Sequence, residues 1–275
     1  MRAAVLPHSV LLAFSYRTVV THKSVESKAQ SIDDVIQRLT EIIAWSRQHR
    51  SRLGYFAALY RDVTSAVKAR IDQRDFFDDN ERMERLDVVF ANRYLDAFDQ
   101  YRAGRNVTRS WKYAFTVADQ FWPIVLQHLL LGMNAHINLD LGIAAARTAP
   151  GAGLRELRDD FNRINTILAE LVGDTERELA QIWPTLRFLS RFLGDVDDAI
   201  INFSMERARD SAWSVAERLA RLDESGQTRE IDALDRDVAE FAKVIRRPGW
   251  LLSAVTKAVR VGEIGSVRRK IDILS

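Results

Sequence analysis

The chain has 275 residues, of which 47% are hydrophobic and 28% are charged, and this composition excludes a disordered or low-complexity protein. Lysine and arginine (40) nearly balance aspartate and glutamate (38), so no strong single-sign field is available to hold nucleic acid. The absence of cysteine excludes disulfides, thiolate nucleophiles and cysteine-bound zinc, and it is compatible with a cytoplasmic protein. Five prolines and 12 glycines are few, which favours long helices over many short strands.

Residues 1–30 are expected to form a loosely ordered leader rather than a secretory signal. Their apolar run at 9–15 is short for a signal sequence, and Tyr16 and Arg17 stand where small residues would form a cleavage site. Nowhere does the chain reach the ~18 uninterrupted apolar residues that a membrane-spanning helix needs. We therefore predict a cytoplasmic protein with neither a membrane nor a nucleic-acid partner.

From residue 31 onward, apolar residues recur at helical spacing and no alternating strand pattern is present. Ser31 and Asp34 predict a capped helix start. Further helices are predicted at about 51–71, 81–101, 110–117, 122–147, 154–182, 195–222, 231–245 and 251–261, with a short one ending near 193. The stretch at 148–153 (TAPGAG) is either a linker between two halves or a turn within one bundle. We favour a single all-α domain of about nine helices over residues 31–275.

The segment at 127–146, QHLLLGMNAHINLDLGIAAA, is apolar on every side and is predicted to be the buried central helix. His136 and Asp140 lie one turn apart on one side of it, where their side chains can touch. Gly132 is expected to leave open volume beside them. Buried polar groups without hydrogen bonds cost about 1–3 kcal/mol each, so the segment requires partners for its polar residues. These residues are His128, Asn134, His136, Asn138 and Asp140.

Two interpretations of the pair stay open. In the structural one, Asp140 accepts a hydrogen bond from His136 and the pair pins adjacent helices. In the functional one, His136 and Asp140 are catalytic, or they bind one divalent metal ion with Asp87 as the third ligand. A site of this kind would take a small-molecule ligand, and the candidate ligand-binding residues are Asn134, Asn138, Arg209 and Trp213. Arg209 and Trp213 lie on the polar side of the helix at 195–222, which is most simply a solvent face.

The decapeptide GMNAHINLDL resembles the hallmark G-M-N-A-H-I-N-x-D-L segment of an uncharacterised bacterial all-helical family of unknown function. FANRYLDAF and WPIVLQH upstream and ARDSAW downstream add looser matches. The resemblance covers the chain from about Ser31 to its C-terminus. It implies a shared helical fold and assigns no reaction.

Three function classes remain. The first is an enzyme, metal-assisted and hydrolytic, that acts on a small molecule in a helix-lined pocket around His136. The second is a non-enzymatic helical binding or assembly module. The third follows from FDDNE (77–81) and DVDD (195–198), which loosely resemble the Asp-rich motifs by which helical isoprenoid enzymes hold Mg²⁺ and a diphosphate. Acidic helix starts explain both stretches as well.

Overall fold

A computed structural model describes residues 28–184 and 205–275 of the chain. Within these ranges the protein is all-helical, as predicted, with eleven α-helices, one π-helical segment at Asn134–Leu141 and no strand. The α-helices, numbered along the chain, are α1 (Ile32–His49), α2 (Leu53–Gln73), α3 (Asn80–Arg102), α4 (Arg109–Val117), α5 (Val125–Met133), α6 (Gly142–Thr148), α7 (Gly153–Ile182), α8 (Met205–Leu219), α9 (Glu224–Arg246), α10 (Gly249–Gly262) and α11 (Val267–Ile273). The count exceeds nine partly because α11 lies where the sequence suggested only a basic tail. The short helix predicted near 193 and the DVDD stretch lie outside the described residues.

Side chains cap several helix starts and so fix where each helix begins. Ser31 accepts a hydrogen bond from the Asp34 backbone N–H, and the Asp34 carboxylate accepts one from the Ser31 N–H, which confirms the predicted capped start of α1.

The last residues of the expected leader are anchored to the bundle. Ala29 is buried, and its backbone exchanges two hydrogen bonds of 2.9 Å with the Asn92 side chain on α3.

The continuous helix Val125–Thr148, made of α5, the π-helical segment and α6, lies at the centre of the bundle. It packs against α2, α3, α4, α8 and α9, and most of its residues are buried, as predicted. Of the described helices, this one has the length and apolar composition that a membrane span would need. Because it is mostly buried inside the protein, its apolar character is that of a core helix.

The core consists of three apolar clusters, and the central helix contributes to each of them. Leu131 packs into the cluster formed with α1–α4, Ile137 into the cluster formed with α3, α7 and α8, and Leu139 into a small cluster with α8 and α9. Only a helix that is apolar all round can supply three such faces. This arrangement explains the composition of the segment at 127–146.

Two glycines allow neighbouring elements to approach the central helix closely. A β-carbon at Gly132 would lie 2.4 Å from the Phe56 ring, and one at Gly142 would lie 2.5 Å from the Ala212 carbonyl oxygen. The expectation of open volume beside Gly132 is therefore wrong, because the Phe56 ring occupies that space.

Candidate functional site

The polar residues of the central helix face two different directions, and each set has its own partners. Asn134 donates a hydrogen bond of 2.9 Å to the Val238 carbonyl on α9, and its side-chain oxygen accepts one of 2.9 Å from Asn138. This pair fastens the central helix to α9. Neither asparagine is brought to His136, which faces α2 and α3 on another side of the π-helical segment.

Asp140 is fully buried, and both of its carboxylate oxygens are engaged. Arg93 Nε on α3 donates to Oδ1 at 2.6 Å, and Trp111 Nε1 on α4 donates to Oδ2 at 2.8 Å. Burial alone would raise the pKa of Asp140. The charge of Arg93 and the hydrogen bonds to the Asp140 carboxylate outweigh burial and lower this pKa below its usual range. Asp140 is therefore ionised and held rigidly by three elements.

The His136 imidazole is enclosed by aromatic rings. It stacks on Phe90 with ring centroids 3.6 Å apart, and the Tyr60 ring meets it at 4.4 Å. Its Nδ1 lies 3.8 Å from Asp140 Oδ2, which is longer than a hydrogen bond. Within the described part of the chain, neither ring nitrogen has a hydrogen-bond partner. Burial lowers the pKa of His136 despite the nearby carboxylate, so the ring is neutral.

Other buried polar atoms beside this ring also lack partners. In the described ranges, the Tyr94 hydroxyl and Asp87 Oδ2 have no hydrogen-bond partner. Burial, with the neighbouring Glu84 carboxylate, raises the pKa of Asp87 to about 7. Burial and then the charge of Asp87 raise the pKa of Tyr60. We refer to His136, Asp140, Asp87, Tyr60, Tyr94, Phe90 and Trp111 together as the His136 chamber.

A small cavity of about 20 Å³ adjoins the chamber. Phe56, Tyr94 and Trp111 line one side of it, and Arg52 and His128 line another. Its volume suits about one water molecule, which needs roughly 10–15 Å³. The pKa of His128 is lowered to about 3 by burial and by surrounding arginine and lysine charges. Both histidines of the central helix are thus neutral.

The predicted metal site does not form in the described residues. No three histidine, aspartate or glutamate side chains come together there in a way that could hold a metal ion. His136 and Asp140 are neighbours, but the oxygens of Asp140 are taken by Arg93 and Trp111. Asp87 joins no such group in the described residues. The prediction of Asp87 as a third metal ligand is therefore unsupported.

Arg209 and Trp213 are buried, so the expectation that their side of α8 is a solvent face is wrong. Arg209 Nε donates to Asn165 Oδ1 at 2.6 Å, its guanidinium also bonds the Phe161 carbonyl, and burial lowers its pKa to about 9. Trp213 packs on the Phe161 ring and donates to Glu217 at 3.0 Å. These contacts hold α8 against α7, and they do not bring either residue into the His136 chamber.

The FDDNE stretch forms a structural junction around the buried Asp160 of α7. Asp160 accepts hydrogen bonds from the backbone N–H groups of Asp78 (2.7 Å) and Asp79 (3.1 Å). It also accepts from Arg82 (2.9 Å) and Arg163 (2.7 Å), and Asp79 caps α3. We refer to Asp160 and these four partners as the Asp160 junction. The acidic stretch therefore serves as a helix start, which is the simpler of the two explanations given for FDDNE. The hypothesis of an isoprenoid enzyme gains nothing from these residues.

Sequence reasoning missed the partners that define the chamber. Arg93 and Trp111 lie 47 and 29 residues before Asp140 along the chain and reach it only through helix packing. Tyr60, Phe90 and Tyr94 lie at helical spacing among apolar residues, a pattern that is typical of a core face. A usable signal was the spacing of α3, which places an aspartate, two aromatics and an arginine within two turns around Phe90.

These features define an all-α protein with a buried aromatic chamber built on a π-helical segment. Residues 32–248 match a family of unknown function, DUF5995, and the chain belongs to this family. The expected relationship to a helical family without an assigned reaction is thereby confirmed, while the hallmark decapeptide stays a prediction. Comparison with curated proteins and with solved structures gave no match.

Proposed function

We propose that this protein is an enzyme that hydrolyses a small molecule by general acid–base catalysis in the His136 chamber. One observation carries the proposal: a neutral, fully buried imidazole without hydrogen-bond partners in the described residues stands beside a carboxylate that is fixed by two donors. Unsatisfied buried polar atoms are rare in folded proteins, and they concentrate where a ligand supplies the missing partner. π-Helical segments are likewise common at functional sites.

Each side chain of the chamber suits one role. Asp140 is a positioning residue, since a small rotation would let His136 Nδ1–H donate to its Oδ2 and leave Nε2 as the proton acceptor for an attacking water. Asp87, with a pKa of about 7, can return a proton to the leaving group at neutral pH. The Tyr60 hydroxyl stays protonated because burial raises its pKa, so it can donate a hydrogen bond to a substrate oxygen.

A substrate must open the chamber, because the adjoining cavity holds about one water molecule. Phe56 and Gly132 both line this cavity, and the Phe56 ring packs against the Tyr60 and Tyr94 rings. Rotating an aromatic side chain breaks no hydrogen bond. We therefore expect a small, largely apolar substrate with one polar reacting group.

A specific observation favours the second candidate, the non-enzymatic helical module. The hydrogen bonds from Arg93 and Trp111 to Asp140 join α3, α4 and the π-helical segment, which is what a structural network does. In that case the aromatic rings simply pack around a neutral histidine. The two candidates differ in what His136 contributes.

The test is turnover of a panel of chromogenic carboxylic esters, phosphoric esters and amides by the full chain. For an enzyme, His136→Gln lowers kcat/KM by about 100-fold or more while the melting temperature changes little, because loss of a general base typically costs this much. His49→Gln, at an exposed histidine on α1, is the matched control and keeps full activity. Turnover unaffected by His136→Gln rejects the assignment. A stable protein with no turnover on the panel and no ligand-induced change in the His136 NMR signals favours the module.

A further inference from the structure

A second concave site lies at the surface. It is a cleft of about 220 Å³ formed by the start of α2, the residues before α5, the end of α10 and the start of α11. Arg52 lines both this cleft and the small cavity beside Trp111. The charged residues that line the cleft are Arg52, Arg260, Glu263 and Lys270.

Glu263 is the carboxylate among these lining residues, and its oxygens are already engaged. Oε1 accepts a hydrogen bond of 2.7 Å from the Val125 N–H at the start of α5. Oε2 accepts from Lys270 Nζ at 2.7 Å and from Arg260 Nη1 at 3.2 Å. Three cations against one carboxylate leave two positive charges in the cleft, and Arg52 is the cation that Glu263 does not bond.

The pKa values of Lys270 and His128 reflect this positive charge. Lys270 is almost fully buried, and burial together with Arg260 and Arg52 lowers its pKa even though Glu263 binds it. After burial, the largest causes that lower the pKa of His128 are Arg52 and Arg260. Bringing cations together at a partly buried position is unfavourable unless an anion offsets them. The cleft is therefore built for a negatively charged group.

We propose that this cleft binds the phosphate group of a ligand, with Arg52, Arg260 and Lys270 as its cationic contacts. A phosphate monoester carries close to two negative charges at neutral pH, which matches the excess charge of the cleft. Arginine forms paired hydrogen bonds to phosphate oxygens, and a lysine supplies a point charge. The cleft volume exceeds that of one phosphate group, so part of the attached molecule also enters.

The phosphate could belong to a soluble metabolite or to a lipid headgroup. Large exposed apolar side chains lie close in sequence to the cleft residues, and they are Phe121, Trp122, Val261 and Ile264. The Phe121 ring also stacks 4.4 Å from the Arg260 guanidinium. Aromatic residues beside cations suit a lipid–water interface. The two sources share the same phosphate chemistry, and experiment separates them.

The first arm is calorimetric titration of the full chain with inorganic phosphate at constant ionic strength, with chloride as the reference anion. We expect saturable binding that Arg52→Gln weakens by about tenfold or more, since charge-assisted contacts of this kind are worth at least that factor. Arg268→Gln removes a charge from the exposed face of α11 and leaves the affinity unchanged. Lys270→Gln is the second cleft variant, in case Arg52→Gln loses stability through its hydrogen bond to Ala118.

The second arm is co-sedimentation with vesicles of phosphatidylcholine, with and without phosphatidic acid. A lipid ligand gives sedimentation that requires phosphatidic acid, is lost in Arg52→Gln and is competed by inorganic phosphate. A soluble ligand gives phosphate binding without sedimentation. No binding in either arm overturns the proposal, and so does equal weakening by Arg52→Gln and Arg268→Gln, because that indicates non-specific charge attraction. The outcome is independent of the hydrolase proposal, whose residues are not altered.

Discussion

The Asp160 junction and the His136 chamber are both buried and both centred on carboxylates, but they differ in how their polar atoms are satisfied. Asp160 accepts four hydrogen bonds, two from backbone N–H groups and two from arginines. In the chamber, Asp140 accepts two hydrogen bonds, both from side chains, whereas Asp87, Tyr94 and His136 have polar atoms without partners in the described residues. A protein of ordinary stability satisfies buried groups wherever it can. At the junction Arg82 Nε is likewise without a partner in the described residues, so the contrast lies in the central groups: the Asp160 carboxylate is fully bonded, whereas the His136 imidazole is not.

The largest effect is expected at the junction. Asp160→Ala should lower the free energy of unfolding by about 3–5 kcal/mol, because it leaves two arginines and two backbone donors without their buried acceptor. Urea denaturation measures this change. Asp159→Ala on the same helix, where the side chain is exposed, is the control and should cost about 0.5 kcal/mol or less. Equal effects of the two variants would mean that the junction contributes nothing to stability.

A smaller loss is expected at Asp140. Asp140→Asn keeps the shape but removes the charge that pairs with Arg93, and we expect a loss of about 2–3 kcal/mol. Asp237→Asn, at an exposed position on α9, should leave the melting temperature unchanged. If Asp140→Asn were as stable as the wild type, Asp140 would not be a structural anchor, and its comparison with Asp160 would fail.

Replacing Asp87 should stabilise the protein, whereas replacing Asp140 destabilises it, because the ionised form of Asp87 is unfavourable in the folded protein. Its pKa of about 7 lies above the ordinary value of 3.8, so the folded protein holds an extra proton between these values and its stability decreases as pH rises from about 4 to 7. Asp87→Asn should stabilise the protein by about 1–3 kcal/mol at pH 8 and flatten this pH dependence. Denaturation at several pH values tests this, with Asp96→Asn on α3 as the control. A destabilised Asp87→Asn protein would show that a partner satisfies the carboxylate.

The smallest effect on stability is expected at His136. His136→Gln removes no hydrogen bond within the described residues and preserves most of the side-chain volume. The free energy of unfolding should therefore change by about 1 kcal/mol or less. Thermal melts of His136→Gln, Asp140→Asn and the double variant separate the two roles. Additive changes fit a positioning Asp140 beside a functional His136. Rescue of one variant by the other would instead indicate a purely structural pair.

The sequence was sufficient for the helical class, the central helix and the position of His136 and Asp140 on one side of it. Periodicity identifies which face of a helix is buried, and five polar residues in an apolar segment identify where partners are needed. It does not identify the partners. Arg93 and Trp111 reach Asp140 from other helices, and the inward orientation of Arg209 depends on how α7 and α8 pack. The π-helical segment also escaped prediction, because helical spacing was read at 3.6 residues per turn throughout.

The π-helical segment makes the length of this stretch intolerant of change. If the helix before this segment stays in place, removing one residue between 134 and 141 moves each later residue toward the position of the residue before it. Ile143 would then take the place of Gly142, where even a β-carbon lies 2.5 Å from the Ala212 carbonyl oxygen. Insertions and deletions in related chains should therefore fall in the loops between helices, and the spacing from His136 to Gly142 should be inherited as a unit.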